Sequence, residues 1–375
     1  MPRKGENIYK RKDGRWEGRY ILSSETGKAK YGYVYAKSYQ DVKSKLSAAK
    51  CKTLMTSSMN VNKEKFSFWL NSWLLLSKTR VKESTYVKYS NSIKNHIEPS
   101  LGKYELQNIS TSIVEQFVLE KLTRGNLKSG KPLSNKTVSE FLIIIKDTLN
   151  YAQSEGIKVH CQLDRISVKK KIHEMRVLDE FEVQRLISNL EINIDRCKLG
   201  VLICLLTGIR IGELCALKWK NISLDEKFIR IDSTMQRLQY TTEHEISKTH
   251  IIITEPKSNA AIRIIPIQDA LAYTMKAFQG HPESYLLTGS SKNYIEPRTM
   301  QMRFKSYLKE SHINDANFHS LRHTFATRCI ELGFDIKSLS EVLGHTSVRT
   351  TLDKYVHSSM ERKRYDMNRL LPICE

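Results

Sequence analysis

Apolar and polar residues alternate one by one between residues 7 and 36. This puts Trp16 and Tyr20 on one face of a first segment and Tyr31, Tyr33 and Tyr35 on one face of the next. A period of two is that of a half-buried strand. Lys12-Asp13-Gly14-Arg15 supplies the Asp-Gly centre of a tight hairpin turn, and Ser38-x-x-Asp41 can cap a helix running to about Ala49. The pattern predicts a three-stranded sheet followed by one helix. Residues 51–65, with Ser57 and Ser58 and few periodic apolar positions, read as a linker.

Helical spacing then takes over. Phe66, Leu70, Trp73 and Leu74 mark one helix; Tyr86, Tyr89, Ile93 and Ile97 mark a second that should end before Pro99. Ile113, Phe117 and Val118 mark a third, and Val138, Phe141, Leu142, Ile145, Leu149 and Ala152 a fourth that stops near Gly156. Beyond it, Asp179-x-x-Glu182 forms a capping box that opens a larger mixed region. There Phe228 to Ile231, Ile251 to Thr254 and Ala261 to Ile267 are β-rich and suggest one small sheet between helical flanks. The fold class is therefore α+β, mainly α-helical, in three pieces: residues 1–58, 64–157 and 175–375.

Composition sharpens this picture. The chain has 375 residues, 40% of them hydrophobic, enough for more than one core. It carries 61 Lys and Arg against 40 Asp and Glu, a formal charge of +21, with a pI near 9.5. Such an excess points to a polyanion, because clustered cations release counterions from phosphates, and nucleic acid leads the candidates. Over residues 1–60 there are about fourteen Lys and Arg against about five Asp and Glu, more than so small a fold can hide. That basic sheet either faces water as a solubilising surface or lies in a DNA groove, as β-ribbon readers do. On the four-helix piece, Lys82, Lys88, Lys94, Lys136 and Lys146 are candidates for phosphate contacts, whereas the aromatics belong to the helix core. The longest apolar runs, such as Leu199 to Leu206, are far shorter than a membrane span, and the start lacks the apolar core of a signal peptide. The seven cysteines show no Cys-x-x-Cys spacing, as expected of a reduced, cytoplasmic protein with core thiols.

The chemistry concentrates in the last half. Thr207-Gly208-Ile209-Arg210-Ile211-Gly212-Glu213 comes first, then His319-Ser320-Leu321-Arg322-His323, then His345 in Leu343-Gly344-His345, followed ten positions later by Tyr355. Two arginines can clamp a phosphate, histidines can hold or move protons, and a tyrosine can attack phosphorus to form a covalent ester. Arg210 follows a buried run and Gly208, so it should emerge at a helix start, with Glu213 one turn on as an ion-pair partner. His319 and Arg322, three apart, share one helix face. A zinc site of His319, His323 and His345 is the rival reading, but no Cys or carboxylate stands at ligand spacing beside them.

In this order the segments resemble the tyrosine recombinase (phage integrase) family, especially integrases of phages and conjugative transposons. The resemblance runs from about Met175 to the C-terminus. It implies that Tyr355 attacks a DNA phosphate to leave a 3′-phosphotyrosyl enzyme and a free 5′-hydroxyl. It implies further that Arg210, Arg322 and His345 bind the phosphate, that His319 handles the tyrosine proton, and that Glu213 holds the site together. His323 is expected to point elsewhere in a structural role. The stretch Glu255-Pro256-Lys257-Ser258 to Arg263-Ile264-Ile265-Pro266 resembles the family's β-hairpin, which makes Lys257 the general acid for the leaving oxygen; Ser258 and Ile264 depart from the usual residues there. Residues 64–157 are similar to the family's core-binding domain, and Ile8 to Trp16 to its arm-type DNA-binding domain. The implied activity is site-specific integration or excision of a mobile element, with no cofactor and no metal. The implied partners are double-stranded DNA at core and arm sites, other copies of the chain as a tetramer on DNA, and an accessory bending or excision factor, with no membrane. The tail after Tyr355 would dock on a neighbouring protomer or pack in cis. A type IB topoisomerase-like relaxing enzyme, or a DNA-binding regulator without catalysis, are the alternatives.

Overall fold

The computed structural model describes residues 7–23, 30–49, 64–169, 176–240, 249–256, 259–355, 364 and 367–368. The chain divides into two compact units, Met1–Lys171 and Ile172–Glu375. Lys257, the expected linker up to residue 63 and nearly all of the tail after Tyr355 lie outside the described residues.

In the first unit, β1 (Ile8–Lys10), β2 (Trp16–Ser23) and β3 (Lys30–Ala36) form an antiparallel sheet in that order. Gly14 takes φ 84° in the turn between β1 and β2, a conformation that costs a residue with Cβ far more. One face of the sheet packs Ile8 and Ala36 against Val42 and Leu46 of α1 (39–49). The opposite face leaves Tyr9, Ile21, Tyr31, Tyr33 and Tyr35 exposed, with the Arg19 guanidinium 3.5 Å from the centre of the Tyr31 ring. The alternation seen in the sequence thus separates a core face from an aromatic and basic one.

The helical part of this unit comprises α2 (Phe66–Ser77), α3 (Glu83–Ser92), α4 (Glu98–Leu101), α5 (Thr111–Arg124) and α6 (Asn135–Ser154). The second helix does not end before Pro99. It widens into a π turn over Ile93–Ile97 and continues as α4. The wider turn keeps both Ile93 and Ile97 buried, and the helix runs on through Pro99, which lies just after the π turn. Two lysines that the sequence offers to phosphate are engaged in ion pairs, Lys88 with Glu140 at 2.7 Å and Lys146 with Asp164 at 2.5 Å. Exposed pairs of this kind are worth little and exchange readily for a phosphate.

The second unit opens on α7 (Glu180–Glu191), capped by Asp179 and Glu182 reciprocally at 2.8 and 3.1 Å. It continues with α8 (Arg196–Thr207) and α9 (Ile211–Ala216). The strands build two sheets where the sequence suggests one. Strands β4 (Ile222–Ser223), β5 (Phe228–Ile231) and β8 (Arg263–Pro266) form the first, and β6 (Thr234–Gln239) pairs with β7 (Thr249–Thr254) in the second. Strand β6 buries Met235 in the core of the unit and lies against α9, where a Cβ on Gly212 would come within 2.6 Å of Thr234 Oγ1. Helices α10 (Asp269–Lys276), α11 (Pro297–Glu310), α12 (His319–Glu331), α13 (Ile336–Leu343) and α14 (Val348–Tyr355) complete the unit. Among the described residues, no helix is long and apolar enough to cross a membrane.

Helix α8 is buried along most of its length and ends at Gly208, with φ 67° and its N–H bonded to the Cys204 carbonyl at 2.9 Å. A Cβ at this position would also sit 2.5 Å from Phe325 Cδ1. Gly208→Ala therefore combines left-handed strain, about 1–3 kcal/mol for a residue with Cβ, with an overlap against α12. Urea unfolding of the full-length chain should show a lower midpoint, equivalent to a loss of at least that much stability. An unshifted transition would mean that this turn adopts another conformation.

Candidate active site

Gly208 reverses the chain at the end of α8, and two residues later Arg210 stands at the N-cap of α9. Its backbone N–H donates to Glu213 Oε2 at 2.9 Å and its Nη1 to Glu213 Oε1 at 2.7 Å. The Arg210 side chain nevertheless stays 36% exposed, so the ion pair leaves one side of the guanidinium facing outward. The expected helix start and the expected ion pair with Glu213 are both present.

Helix α12 brings His319, Arg322 and His323 to one place. Arg322 is only 2% exposed and donates to the Gly208 carbonyl at 2.8 Å and the Leu343 carbonyl at 2.5 Å. His345 follows the left-handed Gly344 that ends α13, and its Nδ1 lies 2.8 Å from Thr351 Oγ1. Tyr355 closes α14, 6% exposed, its ring parallel to that of His345 with centres 6.3 Å apart. Five of the six residues named from the sequence are therefore near neighbours, and Lys257 falls in the short gap between Pro256 and Asn259 that lies outside the described residues.

His323 does not point elsewhere. Its Nδ1 is 2.8 Å from Tyr355 Oη, and the His319 ring meets it edge-on with centres 4.5 Å apart. The signal was present: His323 is four residues after His319, hence on the same helix face. A second residue passed over is Arg263 on β8. It is buried, and its Nη1 and Nη2 donate to the two oxygens of Glu213 at 3.1 and 2.8 Å. The Arg-x-Ile-Pro strand used to find Lys257 contained it.

Cations outnumber the anion here. Burial opposes ionisation of Glu213, but the hydrogen bonds and charges of Arg263 and Arg210 outweigh it and hold the carboxyl below its usual range. Burial, with Arg210 nearby, brings Arg322 down to about 9, still charged at neutral pH. Burial and then the positive neighbours lower His319 to about 4, His323 to about 4 and His345 to about 3. All three imidazoles are thus neutral at physiological pH, each able to donate one N–H and accept at the other nitrogen. Burial raises the Tyr355 phenol, against the pull of Arg322 and Arg210. Such a site is short of negative charge, and a bound phosphate would supply it. Among the described residues, no group of three or more His, Cys, Asp or Glu could hold a metal ion.

Comparison with known proteins points the same way. Residues 176–362 match the phage integrase family, and residues 65–122 match the SAM-like N-terminal domain of phage integrases. A tyrosine recombinase XerC-like protein of Caldanaerobacter subterraneus subsp. tengcongensis is 26% identical, across 78% of this chain and 79% of its own length. The ICEBs1 integrase of Bacillus subtilis is 24% identical, across 74% of each chain. The fold is shared with the Tn1549 transposon integrase in complex with transposon right end DNA: TM-score 0.65, 20% identity, 82% of this chain and 99% of that one. It is shared also with a lambda integrase dimer bound to a core site, at TM-score 0.59 and 18% identity over 95% and 96% of the two chains. The two matched regions together span well over half the sequence, and the chain belongs to the phage integrase family of tyrosine recombinases.

Proposed function

We propose that the protein is a site-specific DNA recombinase that integrates or excises a mobile element through a 3′-phosphotyrosyl intermediate. The observation that carries this reading is Tyr355 Oη, held 2.8 Å from a neutral imidazole in a buried cluster with Arg322. Arg210, Arg322 and His345 bind the scissile phosphate and stabilise the pentacoordinate phosphorane. Tyr355 Oη bonds to phosphorus as the bond to the 5′-oxygen breaks, and Lys257 gives that oxygen its proton. The reverse steps, with a 5′-hydroxyl from another strand, rejoin the DNA, and the ester conserves the energy of the broken bond.

The sequence assigns the tyrosine proton to His319. The hydrogen bond of Tyr355 runs instead to His323, so His323 Nδ1 is the acceptor in this reading and His319, beside it, serves the phosphate. The low basicity of His323 stems from burial and then from Lys354 and Arg322. An anionic phosphate at the arginines offsets the cationic part and makes the imidazole a better base when DNA is bound.

Three modules follow: 1–58 for arm DNA, 64–157 for core DNA and 175–375 for chemistry. The aromatic and basic face of the β1-β2-β3 sheet suits a DNA groove. A lambda integrase structure holds a tetramer on a Holliday junction. The same assembly is proposed here, with a bending or excision factor as a further partner. A relaxing enzyme of type IB topoisomerase character shares the chemistry, but the separate basic sheet favours a recombinase.

On a nicked suicide duplex carrying the core site, wild type should accumulate a covalent adduct, and Tyr355→Phe should bind the duplex but form none. His323→Ala should slow adduct formation by about 10²–10⁴-fold, the range of proton-transfer catalysis, and more than His319→Ala does. Equal rates for His323→Ala and wild type would remove His323 from proton transfer. Lys257→Ala should lose a similar factor on ordinary DNA and recover on a duplex whose bridging 5′-oxygen is sulfur, because a thiolate leaves without a proton. Failure of sulfur to rescue this variant would show that Lys257 only positions the DNA.

A further inference from the structure

Helix α13 ends with carbonyls that no helical N–H can reach. Three consecutive ones are each taken by a different arginine: Val342 O by Arg263 Nε at 2.6 Å, Leu343 O by Arg322 Nη2 at 2.5 Å, and Gly344 O by Arg210 Nη2 at 3.3 Å. The arginines come from β8, α12 and the N-cap of α9, so this one turn ties three elements together. His345 is the next residue. Of the three arginines, Arg263 differs in kind. It is 8% exposed, and its guanidinium is committed on every nitrogen: Nε to Val342, Nη1 to Glu213 and the Ala261 carbonyl, Nη2 to Glu213. Four of its five N–H donors are thereby taken, and all four serve the protein's own carboxylate and carbonyls.

We propose that Arg263 is a positioning residue for the recombination reaction: by fixing the Val342–Gly344 turn and the Glu213 carboxylate, it sets the places of His345 and Arg210 around the phosphate. Gly344 supports this independently. At φ 64°, its missing side chain is where Arg263 passes, since a Cβ there would lie 3.0 Å from Arg263 Cδ and 3.1 Å from Nη1. The backbone and the arginine are fitted to one another. Arg263 also begins the strand that follows the segment containing Lys257. A planar fork makes these contacts simultaneously; a lysine ammonium can reach the carboxylate or the carbonyl but lacks the geometry to span both.

The inference rests on the recombinase reading for its effect on rate, so the test has two readouts on the full-length chain. The first needs no DNA. Hydrogen exchange across residues 340–347 reports the turn, whose Gly344 N–H bonds to Glu341 O at 2.9 Å and His345 N–H to Ser340 O at 3.0 Å. Arg263→Met should exchange several-fold faster there while peptides of α11 remain as in wild type. The second readout is single-turnover cleavage of the suicide duplex. The rate constant should fall by about 10²-fold, as for a reacting group misplaced by about an ångström, with duplex affinity and final adduct yield kept. Arg263→Lys should fall between the two, and it carries the test should Arg263→Met fail to fold. Unchanged exchange across 340–347 in a folded variant would overturn the proposal. So would a lower adduct yield at an unchanged rate constant, the signature of a partly unfolded population. If wild type itself forms no adduct, the recombinase reading fails, and the exchange result alone decides whether Arg263 holds the turn.

Discussion

Glu213 is a single carboxylate, 3% exposed, set between two arginines. Arg263 donates to both of its oxygens, and Arg210 donates to it from side chain and backbone. Without this buried anion, Arg210 and Arg263 would repel each other and Arg322 in a medium where charges are poorly screened. Removing one partner of such a pair typically costs about 3–5 kcal/mol, because the remaining charge stays buried and unpaired. The start of α9, the strand β8 and the end of α13 all depend on this contact or on arginines tied to it. An excess of positive charge is thereby kept in place without being neutralised.

That excess explains the histidines. Burial first, and then the surrounding cations, keep His319, His323 and His345 uncharged at neutral pH. Neutral imidazoles can accept the nucleophile's proton and donate to phosphate oxygens, which imidazolium ions could not do in both senses. The donors are placed before any substrate arrives, so little reorganisation accompanies the reaction. Charge placement and proton handling are thus two consequences of one arrangement.

Much of this was legible in the chain wherever the determining interaction is local. The Asp13-Gly14 turn, the Asp179–Glu182 capping box and the reversal at Gly208 that delivers Arg210 each depend on a few adjacent residues, and each is found. What escaped depends on packing between distant segments. Strand β6 exists because β7 pairs with it across residues 241–248, and strand formation follows pairing more than propensity. The bond between His323 and Tyr355 spans 32 positions and requires α12 and α14 to be packed together. The role of Arg263 depends on a carboxylate 50 residues away and a carbonyl 79 away. The π turn at Ile93–Ile97 depends on a different signal: Pro99 ordinarily stops a helix, yet here the helix widens just before it and runs on.

The central claim is that Tyr355 becomes the covalent link to DNA, and it is tested most directly by locating that link. Trypsin cuts after Lys354 and Arg362, releasing residues 355–362 with Tyr355 at the N-terminus. After trapping on the suicide duplex and digestion with nuclease and trypsin, tandem mass spectrometry should find this peptide carrying a nucleotide through its 3′-phosphate on the Tyr355 oxygen. A nucleotide on any other residue, or one joined through its 5′-phosphate, would contradict the account.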